Sequence, residues 1–388
     1  MPFYLQQALL LYMRLCSFLI IAVVAASCGN KKNQNNTFVI DTAYTKYAKG
    51  FRVSYKENIT QVEVMKPYQG SEDILTYWLI DASAEIPAHD SHIKIIKTPI
   101  KSIVCTSTTH IPLLDYLNES AALVGFPTTD YISSQKMRSR IDSGYVSDLG
   151  VDKGLNIEKL AALSPDMVMA YTMTGDYGQF KSIEDLGTPV VMNAEYLEEH
   201  PLGRAEWIKY MALFFDKELM ADSIFSVIEN QYLETKSKVD ELADTKPTVM
   251  SGIVYGDAWF MPAGQNYAAK LLRDAGFHYL WSDDTTTGYL QLPFELVYEK
   301  ANQADYWIGV GAFNSLEEIA NSDKRYKNFN AFQRGKVYTY NVRIGAKGGS
   351  EFLELGYLRP DIILEDLVKI AHPQILTDNL LFFHKQLE

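Results

Sequence analysis

The stretch that decides the fold runs from Gly154 to Tyr171 and reads GLNIEKLAALSPDMVMAY. Asn156 suits the N-cap of a short helix, because its side-chain oxygen can accept a hydrogen bond from a free amide of the first turn. Ser164-Pro165 ends that helix, since proline disfavours helical backbone in the residue before it. The apolar run Met167–Ala170 has the length of a buried strand. The stretch therefore predicts helix, turn and strand, which together form a unit of an α/β sheet.

Glu158 lies in the first turn of this predicted helix. A carboxylate there can simply stabilise its own helix, by about 0.3–1 kcal/mol, through the positive end of the helix dipole. The same arrangement recurs in LPFELVYEKANQADYWIGV, residues 292–310. Glu295 again lies in a first helical turn, and Asp166 and Asp305 precede the two strands. We interpret the two stretches as a weak internal repeat, with one α/β lobe around each.

The rest of the chain extends this interpretation. Residues 45–97 contain strand-like runs around a turn, and strands alternate with helices from Pro99 onward. A helical pattern free of Pro and Gly covers residues 206–242, either as one unusually long helix or as two that break near Phe215-Asp216. A second α/β series starts at Val249. We predict two α/β lobes with central sheets joined by one long backbone helix, with an added N-terminal β-rich segment.

The N-terminus predicts export. The apolar run FLIIAVVAA, residues 18–26, is too short to span a bilayer as a helix and has the length of a signal peptide. Residues 25–28 (AASC) then resemble a bacterial lipobox with Ala in place of the usual Leu, and an ordinary secretory cleavage site is the alternative. We predict a lipoprotein signal peptide over 1–27, lipidation of Cys28 and a polar tether over 28–44.

Length and composition limit the class of protein. The chain has 388 residues, of which 47% are hydrophobic and 22% charged, and this balance is typical of a globular protein. We divide it into an N-terminal lobe over 45–205, a connecting helix over 206–246 and a C-terminal lobe over 247–388. The formal net charge of −12 argues against nucleic acid and against a cationic membrane-binding surface. After processing, only Cys105 of the three cysteines remains unmodified, and it suits a small core residue.

Motifs for catalysis or cofactor binding are weak. Gly309-Val310-Gly311 lacks the third glycine of a dinucleotide loop, and a Ser or Asn helix cap explains it. No G-x-S-x-G, H-E-x-x-H or P-loop pattern occurs. Only His89 and His92 are close together among the histidines, without partners at zinc-ligand spacing. A metal site assembled from distant residues such as His110 stays open as an alternative.

Aromatic residues in loops after strands are the more informative feature, because ligands of α/β proteins bind at strand ends. Tyr171 follows the strand of the first lobe, and Tyr255 follows the first strand of the second. Trp259 and Phe260 read as loop residues that either pack the lobe or contact a ligand. Arg343 follows the strand-like run KVYTYN and is either a ligand contact or a plain surface charge.

The arrangement resembles the substrate-binding proteins of bacterial ABC importers for iron–siderophore complexes, haem and cobalamin. The similarity covers the body from about Pro99 and is carried by Ile103 to Thr108 (IVCTST), by GLNIEKLAALSPDMVMAY and by WFMPAGQNYAAKLLRDAGFHYLW. The resemblance implies a protein that binds without catalysing a reaction, needs no cofactor or metal of its own, and captures a metal chelate between its lobes. The implied ligand contacts are Thr106, Ser107, Thr108, Thr109, His110, Tyr171, Tyr255, Trp259, Phe260 and Arg343.

The resemblance also implies a docking role for the two glutamates. In the family, one exposed glutamate on each lobe docks into arginines of the membrane permease, and Glu158 and Glu295 match those positions. We therefore expect an exported, lipid-anchored monomer on the periplasmic side that delivers an iron complex, of ferric siderophore type, to an ABC importer. A cobalamin- or haem-binding protein, an exported enzyme that processes a metal chelate, and a protein that captures free metal ions are the alternatives.

Overall fold

The computed structural model describes residues 37–151, 154–241, 246–376 and 380–388. The predicted signal peptide, the lipidation of Cys28 and most of the predicted tether lie outside these residues. Residues from Ile40 to Glu388 form one compact unit. This unit includes the last part of the predicted tether, because the Tyr44 hydroxyl donates to the Lys209 carbonyl oxygen at 3.0 Å. None of the helices in the described ranges is both long enough and apolar enough to cross a membrane.

The predicted N-terminal β-rich segment forms a separate five-stranded sheet. Its strands are β1 (Val39–Ile40), β2 (Phe51–Lys56), β3 (Ile59–Met65), β4 (Ile74–Asp81) and β5 (Lys94–Thr98). Strands β2, β3 and β4 pair antiparallel, and β5 pairs parallel with β4. Val62 and Val64 on β3 are fully buried whereas their neighbours along the strand are not. This alternation is typical of a sheet with one face on the core.

The first lobe has a five-stranded parallel sheet in the order β12-β11-β6-β7-β8. Its strands are β6 (Ile103–Cys105), β7 (Leu123–Phe126), β8 (Ser147–Asp148), β11 (Met167–Ala170) and β12 (Val190–Met192), with a small pair β9 (Gly150–Val151) and β10 (Gly154–Leu155). Its helices are α1 (His110–Tyr116), α2 (Gln135–Asp142), α3 (Ile157–Leu163) and α4 (Gly178–Asp185). Asn156 caps α3 as predicted, accepting from the Lys159 N–H at 2.8 Å. Cys105 is buried, and burial raises the pKa of its thiol.

The second lobe repeats the design with the strand order β16-β13-β18-β19-β20. The strands are β13 (Thr248–Ser251), β16 (His278–Tyr279), β18 (Tyr306–Ile308), β19 (Val337–Thr339) and β20 (Lys385–Gln386), and only β20 runs antiparallel. A separate antiparallel sheet contains β14 (Ile253–Tyr255), β15 (Ala258–Pro262) and β17 (Tyr289–Leu292). The helices are α7 (Tyr267–Asp274), α8 (Phe294–Ala301), α9 (Leu316–Ser322), α10 (Asn330–Gln333), α11 (Glu351–Leu355) and α12 (Pro360–Ala371).

The connection between the lobes consists of two helices, which is the second of the two arrangements that the sequence left open. They are α5 (Pro201–Ala212) and α6 (Glu218–Asp240), so the 23-residue α6 is the long backbone helix. The break falls at the predicted place, because Asp216 has a left-handed φ of 54° that a helix cannot contain. The Lys217 N–H donates back to the Ala212 carbonyl oxygen at 3.1 Å, which satisfies the end of α5.

The internal repeat is confirmed at atomic detail. In the first lobe, Asp166 accepts from the N–H groups of Lys101 and Ser102 at 2.7 and 2.9 Å, and its own N–H donates to the Ser102 hydroxyl. In the second lobe, Asp305 accepts from the N–H and hydroxyl of Thr248 at 2.9 and 2.7 Å, and its N–H donates to that hydroxyl. The same reciprocal clamp therefore joins the starts of two adjacent parallel strands in each lobe.

The lobes also meet along a close-packed seam. Glu354 of α11, which is buried, accepts from the Ser133 N–H at 2.6 Å and the Ser134 N–H at 2.9 Å in the first lobe. Burial raises the pKa of the Glu354 carboxyl to about 7. Beside it, a Cβ atom added at Gly349 would lie 2.0 Å from the Tyr131 carbonyl oxygen. Only glycine permits this approach of the two backbones.

Candidate ligand-binding cleft

The strand order predicts where a ligand can bind. In open α/β sheets, ligands bind beyond the carboxyl ends of the strands, where the strand order reverses. In the first lobe this switch lies between β6 and β11, which are followed by Thr106 and Tyr171. The Thr106 hydroxyl accepts from the Tyr171 N–H at 3.2 Å and so joins the two strand ends.

A cavity of about 310 Å³ lies at this edge, between the two lobes. Its walls come from the loops after β6, β11 and β12, from the start of α5, and from the second lobe. The lining residues are Gln69, Ser107, Thr109, Tyr171, Met173, Glu195, Tyr196, Leu197, Glu198, Glu199, Arg204, Asn266, Tyr267, Thr287, Gly288, Tyr289 and Tyr357. Five of these are tyrosines, whose rings give contact area and whose hydroxyls give polar anchors.

Arg204 is the one cationic side chain in the described lining of the cavity. Its guanidinium carbon lies 4.0 Å from the ring centroid of Tyr267 and 4.3 Å from that of Tyr357. It donates from Nε to the Glu198 carbonyl oxygen at 3.1 Å and from Nη2 to the Tyr196 carbonyl oxygen at 2.8 Å. No carboxylate of the described chain forms an ion pair with Arg204. The cation is thus held by rings and carbonyl groups, without a direct counter-ion.

Glu195 is a second cavity residue whose side chain can form a further hydrogen bond. It is buried, and its Oε1 accepts a short hydrogen bond from the Thr109 hydroxyl. Its buried Oε2 has no hydrogen-bond partner among the described residues. Burial raises the pKa of this carboxyl, against the smaller opposing effects of the Thr109 hydrogen bond and Arg204. The protonated acid could donate a hydrogen bond to a ligand, and the carboxylate could accept one.

The structure brings together part of the predicted contact set. Ser107, Thr109 and Tyr171 line the cavity, and the Thr106 hydroxyl holds Tyr171 by accepting from its N–H. Thr108 belongs to the same loop but is not among the lining residues.

His110 is a correction, because it is a core residue and not a cavity residue. Its side chain is 0% exposed at the start of α1, and neither ring nitrogen has a hydrogen-bond partner in the described part of the chain. Burial lowers the pKa of His110 to about 3, so the ring stays neutral. Within residues 37–151, 154–241, 246–376 and 380–388, no three His, Cys, Asp or Glu side chains come together as a metal site needs.

The structure places Trp259, Phe260 and Tyr255 away from the cavity, contrary to the predicted ligand contacts, and one feature explains all three positions. The predicted loop is a β-hairpin, in which β14 and β15 join through a two-residue turn at Gly256-Asp257. Adjacent residues of a strand face opposite sides. Trp259 therefore packs in the core, 0% exposed, with its indole nitrogen donating to the Ser251 carbonyl oxygen. Phe260 packs edge-on against Tyr255, which is 78% exposed, and neither lines the cavity.

Arg343 is the last correction in the contact set. It forms an ion pair with Glu351 at 2.7 Å and stacks over the Phe382 ring. It lines a different groove, at the seam between the lobes, together with Ser133 and Arg138. The cavity cation is Arg204 instead.

The two predicted docking glutamates are both exposed in first helical turns. Glu158 makes no ion pair or side-chain hydrogen bond with any residue that the structure describes. Glu295 forms an ion pair with Arg325 at 3.2 Å. Arg325 also binds Asp323 at 2.7 Å and lies over the Phe294 ring. The helix positions match between the lobes, but the surroundings of the two carboxylates differ.

The family model described as periplasmic binding protein matches residues 103–343. The chain belongs to the periplasmic binding protein family. The resemblance to substrate-binding proteins of ABC importers is thereby confirmed, and the match begins after the N-terminal sheet. A family of solute-binding proteins is one of binders and not of enzymes.

Similar proteins include one curated relative and two solved members of the fold. An uncharacterized lipoprotein of Methanocaldococcus jannaschii is 25% identical over 396 residues, which covers 92% of this chain and 91% of that protein. A siderophore-binding protein of Vibrio cholerae, solved with Fe³⁺-Desferal, has a TM-score of 0.52 at 19% identity and covers 71% of this chain and 100% of that one. A periplasmic haem-binding protein of the same species has a TM-score of 0.53 at 15% identity, and the match covers 68% of this chain and 99% of that one.

Proposed function

We propose that this periplasmic binding protein captures an iron complex of the ferric siderophore type and delivers it to the permease of an ABC importer. The observation that carries the proposal is Arg204, a cation held between two tyrosine rings in the cavity without a direct counter-ion. Ferric chelates present anionic oxygen groups around the metal. An arginine in a low-dielectric aromatic pocket binds such groups strongly.

The remaining lining fits the same ligand class. Ser107, Thr109 and the tyrosine hydroxyls supply hydrogen-bond donors for oxygen ligands, and the five rings supply apolar walls. The V. cholerae relatives bind a ferric siderophore and haem, as their names state. Haem and cobalamin are therefore the matched alternatives within the same family, and the binding experiment below separates them.

Delivery completes the proposed function. We propose that Glu158 and Glu295 dock on permease arginines, and that charge-assisted pairs set the orientation of the two lobes on the permease. We further propose that the protein is exported, is anchored by a lipid on Cys28, and acts as a monomer. The lipoprotein of M. jannaschii supports the anchor.

The experiment is a binding panel on the chain from Gly29 onward. Tryptophan quenching and thermal shift are recorded with ferrioxamine B, ferric citrate, haemin, cobalamin, Zn²⁺ and Mn²⁺, and the recovered ligand is checked by mass. We expect saturable binding of a ferric chelate that is recovered intact. Chemically altered ligand would indicate an enzyme, and a response to free ions alone would indicate a metal-ion carrier.

Arg204→Ala tests the observation that carries the proposal. Loss of a buried cation that pairs with an anionic ligand costs about 2–5 kcal/mol, so we expect affinity for the ferric chelate to fall at least about 30-fold. Arg204→Lys keeps the positive charge but loses the planar stacking on the tyrosine rings. Its affinity for the ferric chelate should therefore lie between those of the unmodified and Arg204→Ala chains. Arg343→Ala, which removes the same charge outside the cavity, serves as control. Equal affinities of the Arg204→Ala and Arg343→Ala chains would contradict the proposed site.

A further inference from the structure

The N-terminal sheet is fixed to the first lobe by two buried carboxylates. Glu206 of α5 is 0% exposed and accepts from three successive N–H groups, those of Lys46, Tyr47 and Ala48, at 2.7–3.0 Å. Glu198 accepts from the N–H groups of Lys49 and Gly50 at 2.8 and 2.7 Å. Charge-assisted bonds of this kind are short and strong. The segment that leads into β2 is therefore held against the elements that carry Arg204.

The loop between β3 and β4 reaches the ligand cavity. The Gln69 N–H donates to the Tyr196 hydroxyl at 3.3 Å, and Tyr196 is a cavity residue. The Tyr68 ring packs edge-on against Tyr177, with centroids 5.7 Å apart. A Cβ atom added at Gly175 would lie 2.8 Å from the Tyr68 hydroxyl oxygen, so the loop lies tightly against the segment after β11. These contacts place residues 68–70 at the cavity edge.

Gln69 spans the gap between the lobes at this edge. Its side chain lines the cavity together with Thr287 and Gly288 of the second lobe. A Cβ atom added at Gly288 would meet the Gln69 side-chain nitrogen at 3.8 Å, which is ordinary contact distance. The amide of Gln69 therefore lies where a ligand in the cavity can accept from it or donate to it.

A second cavity continues outward from the first. It measures about 620 Å³ and shares Gln69, Leu197, Glu198, Glu199 and Thr287 with the Arg204 cavity. Its walls come from the N-terminal sheet and its lead-in segment, from the loop after β12 and from Lys270 of α7. The ligand space thus extends beyond the two lobes, toward the added sheet.

Two lysines of the outer cavity are available to bind an anionic group. Lys46 and Lys66 are neutralised by Glu229 and Glu72. Lys49 and Lys270 also line the outer cavity and form no ion pair with any described residue. Both lining carboxylates, Glu198 and Glu199, oppose this charge. Glu198 also accepts from the N–H groups of Lys49 and Gly50, whereas the Glu199 side chain accepts from no described residue.

We propose that the N-terminal sheet is the third wall of the ligand site. In this arrangement Gln69 contacts the bound chelate, and Lys49 and Lys270 receive an anionic arm of the chelate that extends out of the Arg204 cavity. The inference rests on the proposed function and adds the ligand class, a chelate with carboxylate or other anionic arms. The family model starts at residue 103 and therefore assigns no role to this wall.

The test compares two probes, ferric citrate as the anionic chelate and ferrioxamine B as a chelate with a cationic arm. The Lys49→Ala/Lys270→Ala chain should bind ferric citrate at least about tenfold more weakly and ferrioxamine B within twofold of the unmodified chain. Gln69→Ala should weaken both complexes about threefold or more. Glu199→Gln, which removes one of the two opposing charges, should strengthen the ferric citrate complex.

Control variants separate a specific role of the N-terminal sheet in ligand binding from a general effect of removing surface charge. Lys101→Ala/Lys327→Ala removes two exposed lysines that do not line either cavity. This chain should bind as the unmodified chain does, and thermal unfolding should show that every variant is folded. Unchanged affinities of the Gln69 and lysine variants, in a chain that binds either probe, would overturn this inference alone. A chain that binds no ferric chelate would overturn the proposed function and the inference with it.

Discussion

The two lobes carry the same helix–strand unit, α3 with β11 and α8 with β18, yet they use its surface differently. Both lobes use the same hydrogen-bonding arrangement, because Asp166 and Asp305 each hold the start of the neighbouring strand through reciprocal hydrogen bonds. The exposed carboxylates are not equal. Glu158 has no partner in the described chain, whereas Glu295 is paired with Arg325.

The difference shows that a repeat can preserve a fold-forming contact while its surface charges diverge. A carboxylate without a partner is available to another protein at once. A carboxylate paired with arginine must first exchange that partner, and Arg325 is also held by Asp323 and the Phe294 ring. We therefore expect the first lobe to dominate the electrostatic part of docking.

The largest effect should follow from reversing both charges. In the Glu158→Lys/Glu295→Lys chain, like charges would face the permease arginines, and misplaced like charges at an interface cost several kcal/mol. We expect ABC-dependent uptake of the ferric chelate to be abolished while affinity for the chelate is unchanged. Uptake in cells and binding to the purified chain check the two halves. Normal uptake by the double variant would refute docking at these positions.

Single substitutions should rank the two lobes. Glu158→Ala should lower uptake more than Glu295→Ala, because Glu295 already shares its charge with Arg325. Arg325→Ala releases Glu295 and should raise uptake in the Glu158→Ala background by about twofold or more. Exposed ion pairs contribute about 0–1 kcal/mol, so stability should barely change. An equal loss of uptake in both single glutamate variants would show that the pairing does not matter.

The strand clamps should differ in their contribution to stability. Asp305→Ala leaves partly buried donors of Thr248 unpaired, and we expect a loss of about 1–3 kcal/mol in the free energy of unfolding. Asp166→Ala exposes its donors to water and should cost less. Urea unfolding of the two variants beside the unmodified chain gives the comparison. A larger loss for Asp166→Ala would contradict the role of burial.

The pH dependence of stability tests the seam between the lobes. The pKa of Glu354 is raised to about 7 from an ordinary value near 4.5. The folded chain therefore binds more protons than the unfolded chain between these values, and the contribution of this group to stability falls as pH rises through that window. Glu354→Gln imitates the protonated acid and does not titrate. Thermal unfolding between pH 4.5 and 8 should show a shallower decline in the variant, and parallel curves would exclude the shift.

The sequence predicted more of the fold than of the site, for physical reasons. Local signals, such as the Asn156 cap, the Ser164-Pro165 stop and the repeat, specify elements that the chain forms with its own neighbours. The rule that ligands bind at strand ends found Ser107, Thr109 and Tyr171. Applied to the end of β12, the same rule would also have found Glu195 and Tyr196.

The missed residues depend on contacts that no local pattern encodes. Arg204 lies in the first turn of α5, which begins earlier than the predicted helix, and its partners Tyr267 and Tyr357 are distant in sequence. Trp259 was misplaced because a Gly-Asp turn made a hairpin where a loop was predicted. The prediction for His110 assumed that a polar side chain after a hydroxyl-rich loop faces the ligand. The side chain is buried in the core instead.

The Gly349–Tyr131 contact limits how the two lobes can move relative to each other. Two backbones at this distance leave no space for sliding, so we expect relative motion of the lobes to be a rotation about the seam. If the protein binds a chelate as proposed, we expect the cleft to open at the edge opposite the seam. The residence time of the chelate would then depend on contacts inside the cleft, above all at Arg204. A side chain introduced at Gly349 would act as a wedge and shorten that residence time.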